Sequence, residues 1–236
     1  MKKESVNTTV ENKKAKHLVD RIQSFNKKSP QTIKAWLYVV SVFKTKTYRS
    51  SGFMQFNGKR DMMYLRFVDT IFRSPLTILS KNKNNLRIYI PSTKQLFLDS
   101  AQTINMTNYT QINLSFSLLF QLATGKIPLL KNYKIKKLKG KYLILENSSF
   151  YETLSFKNNI PNKVLFVNKY SKERIEVYLW GLKKIGDTRI YSRIKVVSRS
   201  KGVRLNMSIN GMKINKPITI YTNFRVPGNV KVQRVY

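Results

Sequence analysis

Two hydrophobic periods divide the chain. From Val10 onward, Ala15, Leu18, Val19, Ile22 and Phe25 return at helical spacing with lysines and Asp20 between them. That stripe predicts one amphipathic helix, ended at Ser29-Pro30, with residues 1–9 as a frayed polar tail. After Pro30 the period falls to two. Residues 35–43 are almost unbroken apolar sequence, which predicts a strand covered on both faces. Residues 48–56 and 62–68 follow as strands, and Asn57-Gly58 between them is a hairpin signal. Residues 70–80, broken by Pro75, read as a short helical or irregular excursion. Leu86-Arg87-Ile88-Tyr89-Ile90 alternates, and Pro91-Ser92-Thr93-Lys94 turns the chain into residues 95–98. Residues 113–123 carry Leu114, Leu118, Leu119 and Leu122 ahead of Gly125, the pattern of a short amphipathic helix with its stop signal.

The remainder alternates as strands at 142–145, 150–156, 163–167, 175–180, 189–197, 203–209, 212–220 and 224–232. Val203, Leu205, Met207 and Ile209 face one way and Arg204, Asn206 and Ser208 the other. Asn210-Gly211 predicts a hairpin after them. About eleven strands without crossover helices predict a mainly β (α+β) fold, a curled antiparallel sheet. Its dry faces exceed what a flat sheet and two helices would cover, so it is expected to close on itself as an open or complete barrel. No linker interrupts residues 10–236, which read as a single domain.

Composition adds charge to this picture. The net charge is +34 with 42% apolar residues. A field of that sign favours anionic partners, nucleic acid or acidic membrane surfaces. The cations are mostly Lys and are spread along the chain, whereas specific phosphate and base recognition leans on Arg; solvated strand faces account for them as well. With no cysteine, disulfides, thiolate metal sites and a thiol nucleophile are excluded. Met1-Lys2-Lys3 resembles a signal n-region, but residues 4–16 are polar and no apolar h-region follows.

A search for chemistry returns little. His17, the single histidine, falls on the polar side of the first helix, and an acid–base histidine needs an oriented partner. Glu173 with Glu176, Glu146 with Glu152, and Asp61 with Asp69 are the nearest carboxylate groupings. Charge balance beside turns explains each without catalysis. No phosphate loop or metal-ligand spacing occurs. The chain therefore reads as a non-enzyme without a cofactor. Tyr178 and Trp180, with Tyr191 beside Arg193 and Tyr89 beside Arg87, form a candidate stacking platform for a basic nucleic-acid-binding β-domain, the second function class the sequence allows.

Two stretches resemble a known family. Leu86 through Pro91 with Gln95 shortly after looks like the strand-Pro-x-x-Gln segment of the LolA-type lipoprotein carriers. Phe224-Arg225-Val226-Pro227-Gly228-Asn229-Val230-Lys231-Val232 resembles that family's closing F-x-x-P-x-G-V-x-V strand, with Gly and the next residue exchanged. The order of elements agrees over most of the chain. LolB-type receptors and mycobacterial glycolipid carriers are similar in fold, so a lipid-binding envelope receptor stays beside the carrier. The resemblance implies an open half-barrel with the N-terminal helix and short lid helices on its concave face. It also implies a monomeric periplasmic carrier that shields the acyl chains of lipoproteins. Its partners would be an inner-membrane lipoprotein-releasing transporter and an outer-membrane acceptor or anionic membrane surface. The cavity candidates are Leu37, Val39, Phe43, Met54, Phe56, Met63, Leu65, Phe67, Leu86, Ile88 and Ile90; ordinary core packing is the alternative at each. Ile71, Phe72, Leu114, Leu118 and Leu119 would form the lid. Arg60 would lock it, although the family's Arg-Pro pair is replaced by Gly58-Lys59-Arg60-Asp61.

Overall fold

A computed structural model describes residues 3–102, 104 and 115–234, with side chains from residue 11 onward. Helix α1 (Lys3–Lys27) begins inside the stretch expected to fray and stops ahead of Pro30. Its stripe is the predicted one: Ala15, Val19 and Ile22 are buried, Leu18 and Phe25 half-buried. Six strands follow: β1 (Thr32–Phe43), β2 (Lys46–Asn57), β3 (Met62–Asp69), β4 (Pro75–Asn82), β5 (Asn85–Ile90) and β6 (Gln95–Ser100). A second helix, α2 (Phe116–Ala123), is N-capped by Ser115, whose hydroxyl accepts from the Leu118 N–H. Then come β7 (Lys134–Lys139), β8 (Tyr142–Glu146), β9 (Phe150–Lys157), β10 (Ile160–Asn168), β11 (Arg174–Ile185), β12 (Thr188–Ser198), β13 (Val203–Ile214) and β14 (Lys231–Arg234).

These strands form one sheet in the order β14-β6-β5-β4-β3-β2-β1-β13-β12-β11-β10-β9-β8-β7. Two antiparallel meanders, β1–β6 and β7–β13, are joined edge to edge by β1 and β13, with Leu37 opposite Ile209. Laid flat, fourteen strands at about 4.8 Å would span roughly 60 Å. Yet α1, a rod about 10 Å across, shares one buried cluster with Met63 of β3, Phe166 of β10 and Leu143 of β8, and also packs against β7. Only a sheet wrapped around the helix allows that. The end strands β14 and β7 remain unpaired with each other, so the curl is open.

Several expectations are corrected. The strand at 35–43 is covered on one face only: Ile33, Ala35, Leu37 and Val39 point inward while Trp36 is 59% exposed. An apolar run there reflects an aromatic outer face, not a second layer. Residues 70–80 are no helical excursion, since β4 starts at Pro75, a first-strand position that needs no N–H donor. Asn210-Gly211 makes no hairpin. Gly211 has φ +53° where the β1–β13 register slips between Lys34 and Trp36, so the glycine serves a bulge within one long strand. The basic stretch before Tyr142 pairs as edge strand β7.

The last segment also departs from expectation. Phe224 to Pro227 are not strand. Residues 215–230 instead run as a strap over the outer face. Gln55 donates to the Thr219 carbonyl at 3.3 Å, and Arg87 stacks over Phe224 at 4.8 Å. Only then does β14 pair with β6, in parallel. A long crossing permits the parallel return that a tight turn forbids.

Candidate functional site

The inner face gathers most of the predicted cavity residues. Strand alternation points Leu37, Val39, Met54, Phe56, Met63, Leu86 and Ile88 inward, all buried. Phe43, Leu65 and Phe67 are half-buried against the same core, and Ile90 against a smaller one beneath α2. The register makes them one surface: Phe56 lies opposite Met63 and Met54 opposite Leu65, Leu65 opposite Leu79, and Leu79 opposite Ile88.

Helix α2 covers this surface. Phe116, Leu118 and Leu122 are buried, and the Phe120 ring meets Phe56 edge-on at 5.3 Å. Of the predicted lid residues, Leu118 and Leu119 lie here, and Leu114 is outside the described residues. Ile71 and Phe72 do not join them. They sit at the β3–β4 turn, 79% and 81% exposed, with both N–H groups donating to the Asp69 carboxylate at 2.8 Å. That bonding is an Asx-type turn, which fixes a hairpin tip instead of a lid helix.

The cation facing α2 is Lys81, not Arg60. Arg60 lies in the exposed β2–β3 turn, where its backbone N–H donates to Asn57 Oδ1 at 3.2 Å; among the described residues its guanidinium makes no bond to α2. Lys81 projects inward from β4, pairs with the Asp61 carboxylate, and holds its ammonium 5.5 Å from the centre of the Phe120 ring. A cation over an aromatic face contributes about 0.5–2 kcal/mol depending on desolvation. Strand parity with Leu79 was the available signal for Lys81.

Beyond α2 the chain threads between α1 and the sheet. Gly125 has φ +71°, and a Cβ there would stand 2.0 Å from Ile190 Cγ1, so no side chain fits. The Asn26 carboxamide donates to the Ile127 carbonyl at 2.8 Å and accepts from the Ile127 N–H at 2.9 Å, tying α1 to this connector. Gln121 Oε1 accepts from the Leu129 N–H at 3.1 Å. Glu152 Oε2 accepts from the Leu130 N–H at 3.0 Å. Glu152 is not the balanced surface charge expected: it is fully buried on the inner face, and burial pushes its carboxyl up to about 8. Its inward parity with Leu154 could have flagged it.

The other carboxylates are structural. Glu146 pairs with Lys136 and Lys169. Hydrogen bonding by Lys163 holds the Glu176 carboxyl below its ordinary value, while Glu173 accepts from the Ser198 hydroxyl at 2.8 Å. Of the stacking platform, Tyr178 and Trp180 do face outward, with Tyr178 bonded to Glu176 at 2.8 Å. Tyr89 and Tyr191 are buried. Tyr191 packs on Phe25 at 5.7 Å and donates to the Pro161 carbonyl at 2.6 Å, and burial raises its phenol. Two of the four rings are thus unable to stack on bases. Among the described residues no three His, Cys, Asp or Glu gather as a metal site, and no helix is long and apolar enough to cross a membrane.

The inner surface opens at the rim. A cavity of about 380 Å³ lies beside α1 over Ile22, Phe25, Ile127, Phe156 and Ile160. A smaller one of about 220 Å³ runs under α2 between Lys81, Phe116 and Phe120. What the arrangement offers is a large apolar surface sealed by α1, the short α2 and a connector held by a few hydrogen bonds.

No sequence-family description and no curated protein matches the chain. Solved structures do. A DUF1329 family protein from Desulfovibrio piger superposes with a TM-score of 0.61 at 11% identity, covering 89% of this chain and 95% of that one. A domain assigned to outer membrane lipoprotein sorting, from Vibrio parahaemolyticus, gives a TM-score of 0.59 at 9% identity, covering 86% and 93%. At such identities the likeness is one of fold. The curled open sheet with its N-terminal helix is the fold this chain shares with those two structures.

Proposed function

We propose that this chain is a non-catalytic periplasmic carrier that shields the acyl chains of lipoproteins between the inner and outer membranes. The observation that carries the reading is α2, an eight-residue helix packed on a continuous apolar strand surface. Lifting it re-exposes Phe116, Leu118 and Leu122 and the buried halves of Leu119 and Phe120, at about 1.5–3 kcal/mol per fully buried side chain, or about 6–12 kcal/mol together. Burying an acyl chain of about fifteen methylenes contributes about 0.8 kcal/mol per group, near 12 kcal/mol. The two figures are of one order, so helix and hydrocarbon can exchange on this surface. Met54 and Met63 in the inner-face core suit a surface that must adapt to a flexible tail. The fold shared with a lipoprotein-sorting domain supports the cargo class. The test is uptake of a fluorescent fatty acid and its displacement by a diacylated lipopeptide. Saturable uptake with full displacement is expected, and no uptake at micromolar protein would refute the carrier.

A further inference from the structure

The end of the half-barrel where α1 stops carries charge that acyl-chain shielding leaves unused. A cavity of about 860 Å³ opens there between α1, the β2–β3 turn and the end of β13, lined by Lys27, Lys28, Lys59, Arg60 and Lys216. Asp187 is the single carboxylate on its walls, and among the described residues none of the five cations makes an ion pair. Elsewhere Asp61, Glu146 and Glu176 are already engaged by lysines. Like charges crowded round one opening repel each other, and an anion among them relieves that repulsion.

The walls are pre-set. The Gly58 N–H donates to the Gln31 carbonyl at 2.7 Å, the Gln31 N–H to Asn215 Oδ1 at 2.9 Å, and the Thr32 hydroxyl to the Lys216 carbonyl at 2.7 Å. Ser29, also on the wall, is buried with a hydroxyl that has no partner among the described residues. Lys28 and Asp187 line this cavity and the apolar-floored 380 Å³ cavity alike, so the two adjoin.

We infer that the joined cavities bind an amphiphile with an anionic phosphate headgroup. The phosphate sits among Lys27, Lys59, Arg60 and Lys216, with Arg60 able to meet it bidentately, and the first methylenes lie over Ile22 and Phe25. This rests on the carrier reading and extends it, since it adds a ligand class chosen by its phosphate as well as by its tails.

The experiment compares dioctanoyl phosphatidylglycerol, dioctanoylglycerol and inorganic phosphate by calorimetry at 150 mM salt, where free charges are screened beyond about 8 Å. The phosphatidylglycerol is expected to bind at least tenfold tighter than the diacylglycerol. The Lys59→Gln, Arg60→Gln, Lys216→Gln triple variant erases that difference and keeps diacylglycerol binding. A triple Lys134→Gln, Lys137→Gln, Lys139→Gln variant, equal in charge change and also exposed, retains it. Equal affinity of the wild type for both lipids overturns the headgroup site and leaves the carrier standing; binding of neither overturns both. Equal losses in the two triple variants would trace the preference to overall charge, and tight inorganic phosphate binding without lipid preference would make the site one for free phosphate; either overturns the inference.

Discussion

Glu152 makes the molecule's pH response readable at a single residue. Its folded carboxyl titrates near 8 because burial disfavours the charged form, against 4.5 for the free group. The folded chain thus holds a proton that the unfolded chain releases between those values. The stability this group contributes is fully present below about 4.5 and is lost as pH rises through about 8, at up to about 1.4 kcal/mol per pH unit. Urea unfolding at pH 5.5 and 7.5 should show the wild type losing more stability than Glu152→Gln over that interval. Parallel losses would contradict the burial argument. At this scale the sequence was half legible. Period two sorted Met54, Phe56, Met63 and Leu65 onto the inner face correctly, because apolar residues declare their own burial. Glu152 read as a balanced surface charge and Lys81 fell in no predicted strand, because a charge does not announce that its partner is the Leu130 N–H, 22 residues away, or the Phe120 ring.

At the level of elements, α2 is held by its surroundings and not by its own length. Eight residues cannot sustain a helix alone, so its order depends on the apolar surface beneath, the Ser115 cap and Lys81 over Phe120. Lys81→Met keeps the aliphatic bulk and removes the charge. Hydrogen exchange of the α2 amides should accelerate about fivefold, corresponding to about 1 kcal/mol, with α1 amides unchanged; unchanged α2 exchange would show that Lys81 does not hold the helix. Elements with a clear period, α1 and the hairpin at Asn57-Gly58, were visible in the sequence. Those that a single signal leaves ambiguous were not. A positive-φ glycine serves a bulge as well as a turn, which hid the continuity of β13. Pro75 fits a strand's first residue as well as a helix break. The lysines that make β7 a guarded edge strand also masked its alternation.

Taken whole, the described residues form an open sheet wound round two helices, with an apolar interior and a strongly basic exterior. Curl was legible from a surplus of dry strand faces. The parallel β14 and the strap before it were not, since they depend on contacts such as Gln55 with Thr219 and Arg87 with Phe224 that no local pattern encodes. In the proposed loading step, hydrocarbon replaces α2 on the inner face. Methyl-labelled methionine reports on it directly, because Met54 and Met63 are buried in the inner-face core that Leu118 and Leu122 of α2 join, while Met62 alternates to the opposite side of β3. On addition of a stearate carrying a nitroxide at mid-chain, the Met54 and Met63 methyl signals should broaden more strongly than that of Met62. If the spin-labelled lipid binds and those two signals do not change, hydrocarbon does not reach the inner face and the account is wrong.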